Sequence, residues 1–374
     1  MTISNKKYMK KALALAAKGK GRTSPNPVVG AVIVKGKRII AEGFHKKAGT
    51  AHAEIVALKK AGSKARGATL YINLEPCCHT DKKTPPCTKA IIQSGIKKVV
   101  VAMKDPNPKV SGQGIRELKK AGINVEIGLM REEALKMNEA FAKFIKKKEP
   151  FVILKMAQSL DGKIATAKGE SKWITGEESR KLVHRVRNEV DAVLVGIGTV
   201  KKDDPSLTCR IKGGRNPYRI IADSKLRIPL NSKVLGHKDN KTIIATTKKA
   251  SKNKIASVKK RGAYVLVIDD LIRKKTSTKV SNGVNLKSLM KGLGKLDITS
   301  VMIEGGSSIN ASALSGKIVD KVMIFIAPML IGGTDSMPSV GGMSPDLLKK
   351  ATGIKNLKAR TVGRDILVEG YLSL

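Results

Sequence analysis

His52-Ala53-Glu54, Glu75-Pro76-Cys77-Cys78-His79 and Thr84-Pro85-Pro86-Cys87 follow one another along the chain. Together they offer imidazole, carboxylate and thiol groups, the donors of a metal site that keeps one position open for water. Residues two apart do not share a face of a regular helix. His52 and Glu54 can therefore serve one centre only where a loop enters a helix, with the longer Glu arm reaching inward. Cys77 comes just after a buried apolar run, residues 68–73, and Cys87 opens the next helical stretch. A helix start favours a thiolate, because its amides and dipole stabilise negative charge.

The flanking sequence reads as alternating strands and helices. Residues 5–18 form a helix, and 28–34 and 38–43 form a hairpin about Lys35-Gly36-Lys37. A helix over 52–61 is closed by Gly62, a C-cap signal. Then come a helix at 87–94, a strand at 97–102, a helix at 114–121, a strand at 124–127 and one long helix over 132–146. A hairpin followed by alternating elements predicts an α/β sandwich with a mixed sheet. Lys146-Lys147-Lys148-Glu149-Pro150 marks a junction, giving domains 1–147 and 150–374. The second is again α/β, with strands at 151–156, 192–195, 218–222, 242–246, 264–268, 300–304, 321–326 and 366–371. Its helices fall at 177–188, 251–261, 286–293 and 308–315.

Two domains are the natural division of 374 residues. Aromatics are 3% of the chain, so aliphatic residues must fill the cores. No apolar run approaches a membrane span, and residues 12–17 read as part of an amphipathic first helix rather than a signal peptide. Four cysteines, three of them clustered, favour metal or catalysis over disulfides and a cytoplasmic setting. The net charge is +43, and it is spread evenly. Residues 1–147 carry 31 basic and 10 acidic residues, and 148–374 carry 42 and 20. Without a basic block or interleaved aromatics, this predicts a lysine-rich surface that steers anions and binds nucleic acid nonspecifically, with no specific nucleic-acid partner.

His-x-Glu with two later Pro-Cys pairs matches zinc deaminases acting on bases, in which His and two Cys hold the metal. The metal makes hydroxide available at neutral pH, and Glu54 carries the proton to the departing amine. The predicted ligands are His52, Cys77 and Cys87. Cys77 follows Glu-Pro directly, but Cys78 stays open as the alternative. Nine residues separate Cys77 from Cys87, and eight separate Cys78 from it.

With residues 24–30 (Ser-Pro-Asn-Pro-Val-Val-Gly) and Asp105-Pro106-Asn107-Pro108 added, the chain resembles the bifunctional riboflavin-biosynthesis deaminase–reductases over nearly its whole length. The resemblance implies a cytidine-deaminase-like α/β/α sandwich, with Asn26, His45 and His79 lining its pocket. Taken as residues alone, Asn26 is equally a turn residue, and His45 and His79 are equally solvated loop imidazoles. Cys77 and Cys87 are spaced one residue wider than is typical of that family, the extra residue lying within 80–83.

Residues 155–163, 169–175, Asp203-Asp204-Pro205 and Ile303-Glu304-Gly305-Gly306 resemble the reductase half of the same family, whose fold is dihydrofolate-reductase-like. This implies NADPH near Ala157, Trp173, Thr199, Asp203, Ser224 and the loop Gly306, Ser307, Ser308, Ile309, Asn310, Ala311, Ser312. It implies a sugar phosphate near Ser171, Arg187, Leu207, Arg210 and Glu304. Guanidinium groups suit a phosphate because they bind it bidentately. Residues 301–308 read independently as strand, glycine turn and helix start, whose amides can hold a phosphate. Ile331-Gly332-Gly333 is a second close-approach loop or a simple turn. Trp173, the only tryptophan, either packs in a core or flanks the cofactor. Lys155 and Glu304 are the acid–base candidates.

The implied activity is zinc-dependent deamination of 2,5-diamino-6-ribosylamino-4(3H)-pyrimidinone 5′-phosphate. NADPH-dependent reduction of the ribosyl group to ribityl follows, in a homo-oligomer without membrane partners. The alternative drawn from charge is a nucleic-acid base deaminase whose C-terminal half is a binding module.

Overall fold

The computed structural model describes residues 3–78, 85–108, 110–268 and 283–373. The chain divides into two compact units, Met1–Lys148 and Glu149–Leu374, close to the junction read from the lysine run. Among the described residues, no helix is long and apolar enough to cross a membrane.

The first unit contains, in order, α1 (Ile3–Ala17), β1 (Gly30–Lys35), β2 (Arg38–Phe44), α2 (Ala53–Ala61), β3 (Thr69–Leu74) and α3 (Cys87–Gln93). It continues with β4 (Lys98–Met103), α4 (Gln113–Lys120), β5 (Asn124–Ile127), α5 (Arg131–Met137) and α6 (Glu139–Lys147). Its five strands form one sheet in the order β2-β1-β3-β4-β5. β1 runs antiparallel to β2 and β3, while β3, β4 and β5 are parallel. Strand residues point alternately to the two faces, which sorts the apolar residues into two cores. Ile33, Ile72 and Val99 pack with Ala57 of α2, Ile91 of α3 and Leu118 of α4. Val32, Tyr71 and Val100 pack with Met9 and Leu13 of α1 and Ala134 of α5. The result is the three-layer sandwich expected.

The single helix expected over 132–146 is two helices broken at Asn138. Asn138 is buried, and its side chain turns inward: Oδ1 accepts the Val28 N–H at 2.9 Å and Nδ2 donates to the Val28 carbonyl at 3.2 Å. A local pattern cannot show a break imposed by a partner 110 residues away.

The second unit opens with β6 (Phe151–Ser159), β7 (Lys163–Ala165), α7 (Glu177–Glu189), β8 (Ala192–Gly196), α8 (Ile197–Asp203) and β9 (Tyr218–Ala222). β10 (Thr242–Thr246), α9 (Lys252–Lys260), β11 (Tyr264–Val267), α10 (Leu286–Gly294), β12 (Ser300–Ile303) and α11 (Ser307–Ser315) follow. β13 (Lys321–Ala327), β14 (Met337–Pro338), β15 (Ile354–Val362) and β16 (Asp365–Leu372) complete it. Nine strands form one sheet, β11-β10-β9-β8-β12-β6-β13-β16-β15. It is parallel except where β16 pairs with β13 and with β15. α10 and α11 cover one face and α7, α8 and α9 the other. β7, α8, β14 and β15 were not expected. β15 (Ile-Lys-Asn-Leu-Lys-Ala-Arg-Thr-Val) is exposed along almost its whole length, so no buried face imprints an apolar alternation on it.

Candidate active sites

In the first unit the site gathers at the C-terminal end of β3 and the starts of α2 and α3. His52 is the N-cap of α2 with extended backbone, so its side chain and that of Glu54 converge, as the loop-to-helix reading required. His52 Nδ1 lies 3.2 Å from Cys87 Sγ and 3.6 Å from Cys77 Sγ. The three donor atoms all lie within 4.8 Å of one another. Cys78, the open alternative, is not in this group and is only half-buried. Cys87 is the first residue of α3, and the Thr88 N–H donates to the Cys77 carbonyl at 3.2 Å, joining the two thiol-bearing segments.

The Cys77 thiol is pulled down to about 3, first by its hydrogen bond with Cys87 and then, against burial, by His52. A buried pair of thiols with an imidazole edge-on is a soft, borderline donor set that suits zinc. Glu54 is buried at the same point, and burial, followed by the charge of Cys77, raises its carboxyl above the ordinary range. A carboxyl raised in this way keeps its proton to higher pH than an ordinary one.

Of the expected pocket residues, His45 is 2% exposed, which rules out a solvated loop imidazole. Its Nδ1–H donates to the Ala51 carbonyl at 3.2 Å, its Nε2 is 3.4 Å from Asn26 Nδ2, and its ring meets His52 edge-on at 5.4 Å. His79 lies outside the described residues.

Glu75 carries a role that the motif alone did not reveal. Its buried carboxylate accepts three backbone N–H groups, from Asp105 (3.0 Å), Gly112 (2.9 Å) and Ile115 (3.2 Å). The Pro-Cys loop and the start of α4 are thereby fixed to one another. Gly114 completes the contact: a Cβ there would lie 2.2 Å from the Pro76 carbonyl oxygen. Gly114→Ala should push Pro76 away and destabilise this unit by about 2 kcal/mol, with ammonia release impaired and reduction intact. A thermal melt paired with both assays checks this, and an unchanged melt and deaminase rate would show that the contact is slack.

In the second unit a cleft of about 960 Å³ opens at the C-terminal ends of β6, β8 and β12, where open α/β sheets bind ligands. Ala157, Ser171, Trp173, Arg187, Thr199, Asp203, Leu207, Arg210, Glu304 and Gly306, Ser307, Ser308, Ile309 and Asn310 line it. Ser224, Ala311 and Ser312 do not; Ser224 lies two residues past the end of β9, and the other two lie further along α11. Trp173 is 65% exposed at the cleft with the Arg180 guanidinium 4.7 Å over its ring, which excludes core packing. Gly305 admits no side chain, since a Cβ would meet Ile309 Cγ2 at 1.7 Å. Gly306 is the N-cap of α11 and the first turn of that helix lines the cleft, the part of a helix at which anions bind. Ile331 and Gly332 form no ligand loop of their own: their N–H groups donate to Asp161, at 3.1 and 2.7 Å.

The charged floor of the cleft is a network. Arg187 donates from Nε and Nη2 to both oxygens of Glu304, at 2.6 and 2.8 Å, and from Nη1 to the Thr208 carbonyl at 3.0 Å. The fork that could grip a phosphate therefore faces Glu304. Arg210 is exposed on the wall, with no ion-pair partner among the described residues. Burial works to raise Glu304, but Arg187 and then Lys155 outweigh it and hold the carboxylate low. Burial pulls the Lys155 amine down despite Glu304.

Residues 2–103 match the cytidine and deoxycytidylate deaminase zinc-binding region, and residues 150–368 match the RibD C-terminal domain. The riboflavin biosynthesis protein RibD of Aquifex aeolicus is 46% identical over 97% of both chains. That of Actinobacillus pleuropneumoniae is 42% identical over 98% of this chain and 95% of its own. The chain belongs to the RibD family. Acinetobacter baumannii RibD superposes with a TM-score of 0.87, at 36% identity over 99% of each chain. A solved structure from Thermotoga maritima, described as a diaminohydroxyphosphoribosylaminopyrimidine deaminase/5-amino-6-(5-phosphoribosylamino)uracil reductase, superposes with a TM-score of 0.84 at 39% identity, covering 99% of each chain. As a RibD, the chain is a bifunctional deaminase and reductase of riboflavin biosynthesis, with a zinc-binding deaminase domain and an NADPH-dependent, dihydrofolate-reductase-like domain. The nucleic-acid reading is not favoured.

Proposed function

We propose that the first unit hydrolyses the 2-amino group of 2,5-diamino-6-ribosylamino-4(3H)-pyrimidinone 5′-phosphate, and that the second reduces the deaminated product's ribosyl chain to ribityl with NADPH. The observation that carries this reading is the convergence of His52 Nδ1, Cys77 Sγ and Cys87 Sγ beside the buried Glu54 carboxylate. His52, Cys77 and Cys87 are the ligands of this reading. A zinc ion held by them supplies the Lewis acidity that makes a water nucleophilic near neutral pH. Glu54 takes the proton from the attacking water and delivers it to the departing amine, so that ammonia leaves as oxygen replaces nitrogen on the ring. His45 is fixed by its bond to Ala51 as the Nδ1–H tautomer. With Asn26 it forms the wall that orients the pyrimidine, and His79 is the third residue we assign to substrate binding.

In the second unit, Trp173, Ala157, Thr199, Asp203 and the start of α11 form the nicotinamide-cofactor side in this reading. Ser224, Ala311 and Ser312 extend that side beyond the cleft. Ser171, Leu207, Arg210 and the Arg187–Glu304 pair form the substrate side, with Arg210 the phosphate ligand. The protein's part in hydride transfer is positioning, and Lys155 beside Glu304 is the group suited to proton delivery.

The working unit is a homo-oligomer. Among the described residues β15 has no strand on its outer side, and Leu357 of β15 and Ile366 of β16 are exposed. Exposed edges and apolar patches of this kind call for a covering surface, and a second copy is the occupant we favour. The four free thiols accord with a cytoplasmic setting.

A zinc chelator should abolish ammonia release from the diaminopyrimidine ribotide while sparing NADPH oxidation on the deaminated intermediate. Ammonia release that survives removal of the metal would sink the deaminase assignment.

A further inference from the structure

Loop 204–216 forms one wall of the reductase cleft, and it is held in place by α7. Asp204 and Leu207 both adopt left-handed backbone, with φ of 40° and 51°, a conformation that residues with a Cβ adopt at a cost. Leu207 is nevertheless buried. Asp204 is the C-cap of α8 and its Oδ1 accepts the Lys233 N–H, and four bonds to α7 anchor the stretch that follows, from Thr208 to Arg215. Arg187 Nη1 donates to the Thr208 carbonyl at 3.0 Å, and the Cys209 thiol donates to the His184 carbonyl at 3.5 Å. The Arg210 N–H donates to His184 Nδ1 at 3.3 Å, and the Arg215 N–H to Asn188 Oδ1 at 2.7 Å. His184 and Arg187 are three residues apart, on one face of the helix, and both line the cleft.

We propose that His184 is a positioning residue of the reductase: its Nδ1 fixes the Arg210 backbone so that the Arg210 guanidinium faces the substrate phosphate. This rests on Arg210 being the phosphate ligand. Arg187 has turned its fork to Glu304, so the side chain on this wall with donors to spare is Arg210. An Nδ1 that accepts must be unprotonated, with the proton on Nε2. Burial and then the charges of Arg187 and Arg210 push the His184 imidazole down, against the opposing pull of Glu304 and the Thr208 carbonyl. Neutral imidazole also avoids adding a further cation beside Arg187 and Arg210.

The test is steady-state reduction by the full-length zinc-loaded chain. The substrates are 5-amino-6-(5-phosphoribosylamino)uracil and its dephosphorylated counterpart. His184→Leu removes the acceptor at similar volume, and His184→Asn keeps one at the same distance from Cβ. For the phosphorylated substrate, His184→Leu and Arg210→Gln should each raise KM about tenfold, the worth of one charge-linked hydrogen bond, with kcat within about twofold. KM for the dephosphorylated substrate and for NADPH should not move. His184→Asn should recover most of the loss, and the double variant should be no worse than Arg210→Gln alone.

A normal KM in His184→Leu alongside a raised KM in Arg210→Gln overturns the inference and leaves the phosphate reading standing. Equal rises for both substrates, or a fall in kcat, would make His184 a general support of the cleft and also overturn it. An unchanged preference for phosphate in Arg210→Gln removes the phosphate reading and this proposal together.

Discussion

Glu54→Gln should eliminate deamination, lowering ammonia release by roughly a thousandfold, while NADPH oxidation on the deaminated intermediate stays at the wild-type rate. The amide keeps the volume of the carboxylate and can still hydrogen-bond, but it cannot carry a proton. Glu54 is 3% exposed and lies beside His52, Cys77 and Cys87. Bulk water therefore cannot easily replace it as a proton carrier. Metal content should be retained, because the three ligand atoms converge without the Glu54 side chain. Measuring zinc, ammonia and NADPH on one preparation separates the outcomes. Full turnover in Glu54→Gln would remove its assigned role, and loss of zinc would make it part of the metal's support instead.

Arg187→Leu should have the second largest effect, and it acts on the other activity. The variant leaves the Glu304 carboxylate at the cleft floor with Lys155 and, more weakly, His184 to offset its burial. Both side chains of the pair are nearly inaccessible, at 13% and 10% exposure. Breaking a buried pair from one side costs about 3 kcal/mol. The variant also drops the Thr208 carbonyl and loosens the wall that Leu207 and Arg210 occupy. We expect reductase kcat/KM to fall by roughly a hundredfold, a loss of about 3 kcal/mol in transition-state binding, and ammonia release to be unaffected. Removing Glu304 as well, in Arg187→Leu with Glu304→Leu, should recover stability but not reduction, since an apolar pair can replace an ion pair in packing. Recovery of reduction in the double variant would show that the pair serves the fold alone.

The parts of this molecule that could be read from the sequence are those whose signal is local. His52, Glu54, Cys77 and Cys87 were legible because each sits at a strand end or helix start marked by Pro, Gly or an apolar run. The alternation of strands and helices revealed both sheets for the same reason. What stayed hidden depends on partners distant in sequence. Glu75 is an ordinary acidic residue until Asp105, Gly112 and Ile115 present their amides to it. Arg187 and Glu304 are 117 positions apart, and nothing near either one says that they face each other. Among 73 basic residues, the choice of Arg187 and Arg210 came from motif position, and only the structure separates their tasks. β15 escaped notice because an exposed edge strand buries no face. Asn138 escaped because its break in the helix is set by the backbone of Val28.

That last contact limits how the chain can be cut. The matched zinc-binding region ends at residue 103, and a fragment trimmed there would still contain every ligand. It would lack Asn138, which braces Val28 two residues beyond Asn26, and it would lack α5, which shares with α1 the cover of one face of the sheet. The minimal excisable aminohydrolase therefore runs to the end of α6, and its metal-binding capacity and its catalytic competence should part company as the C-terminus is shortened.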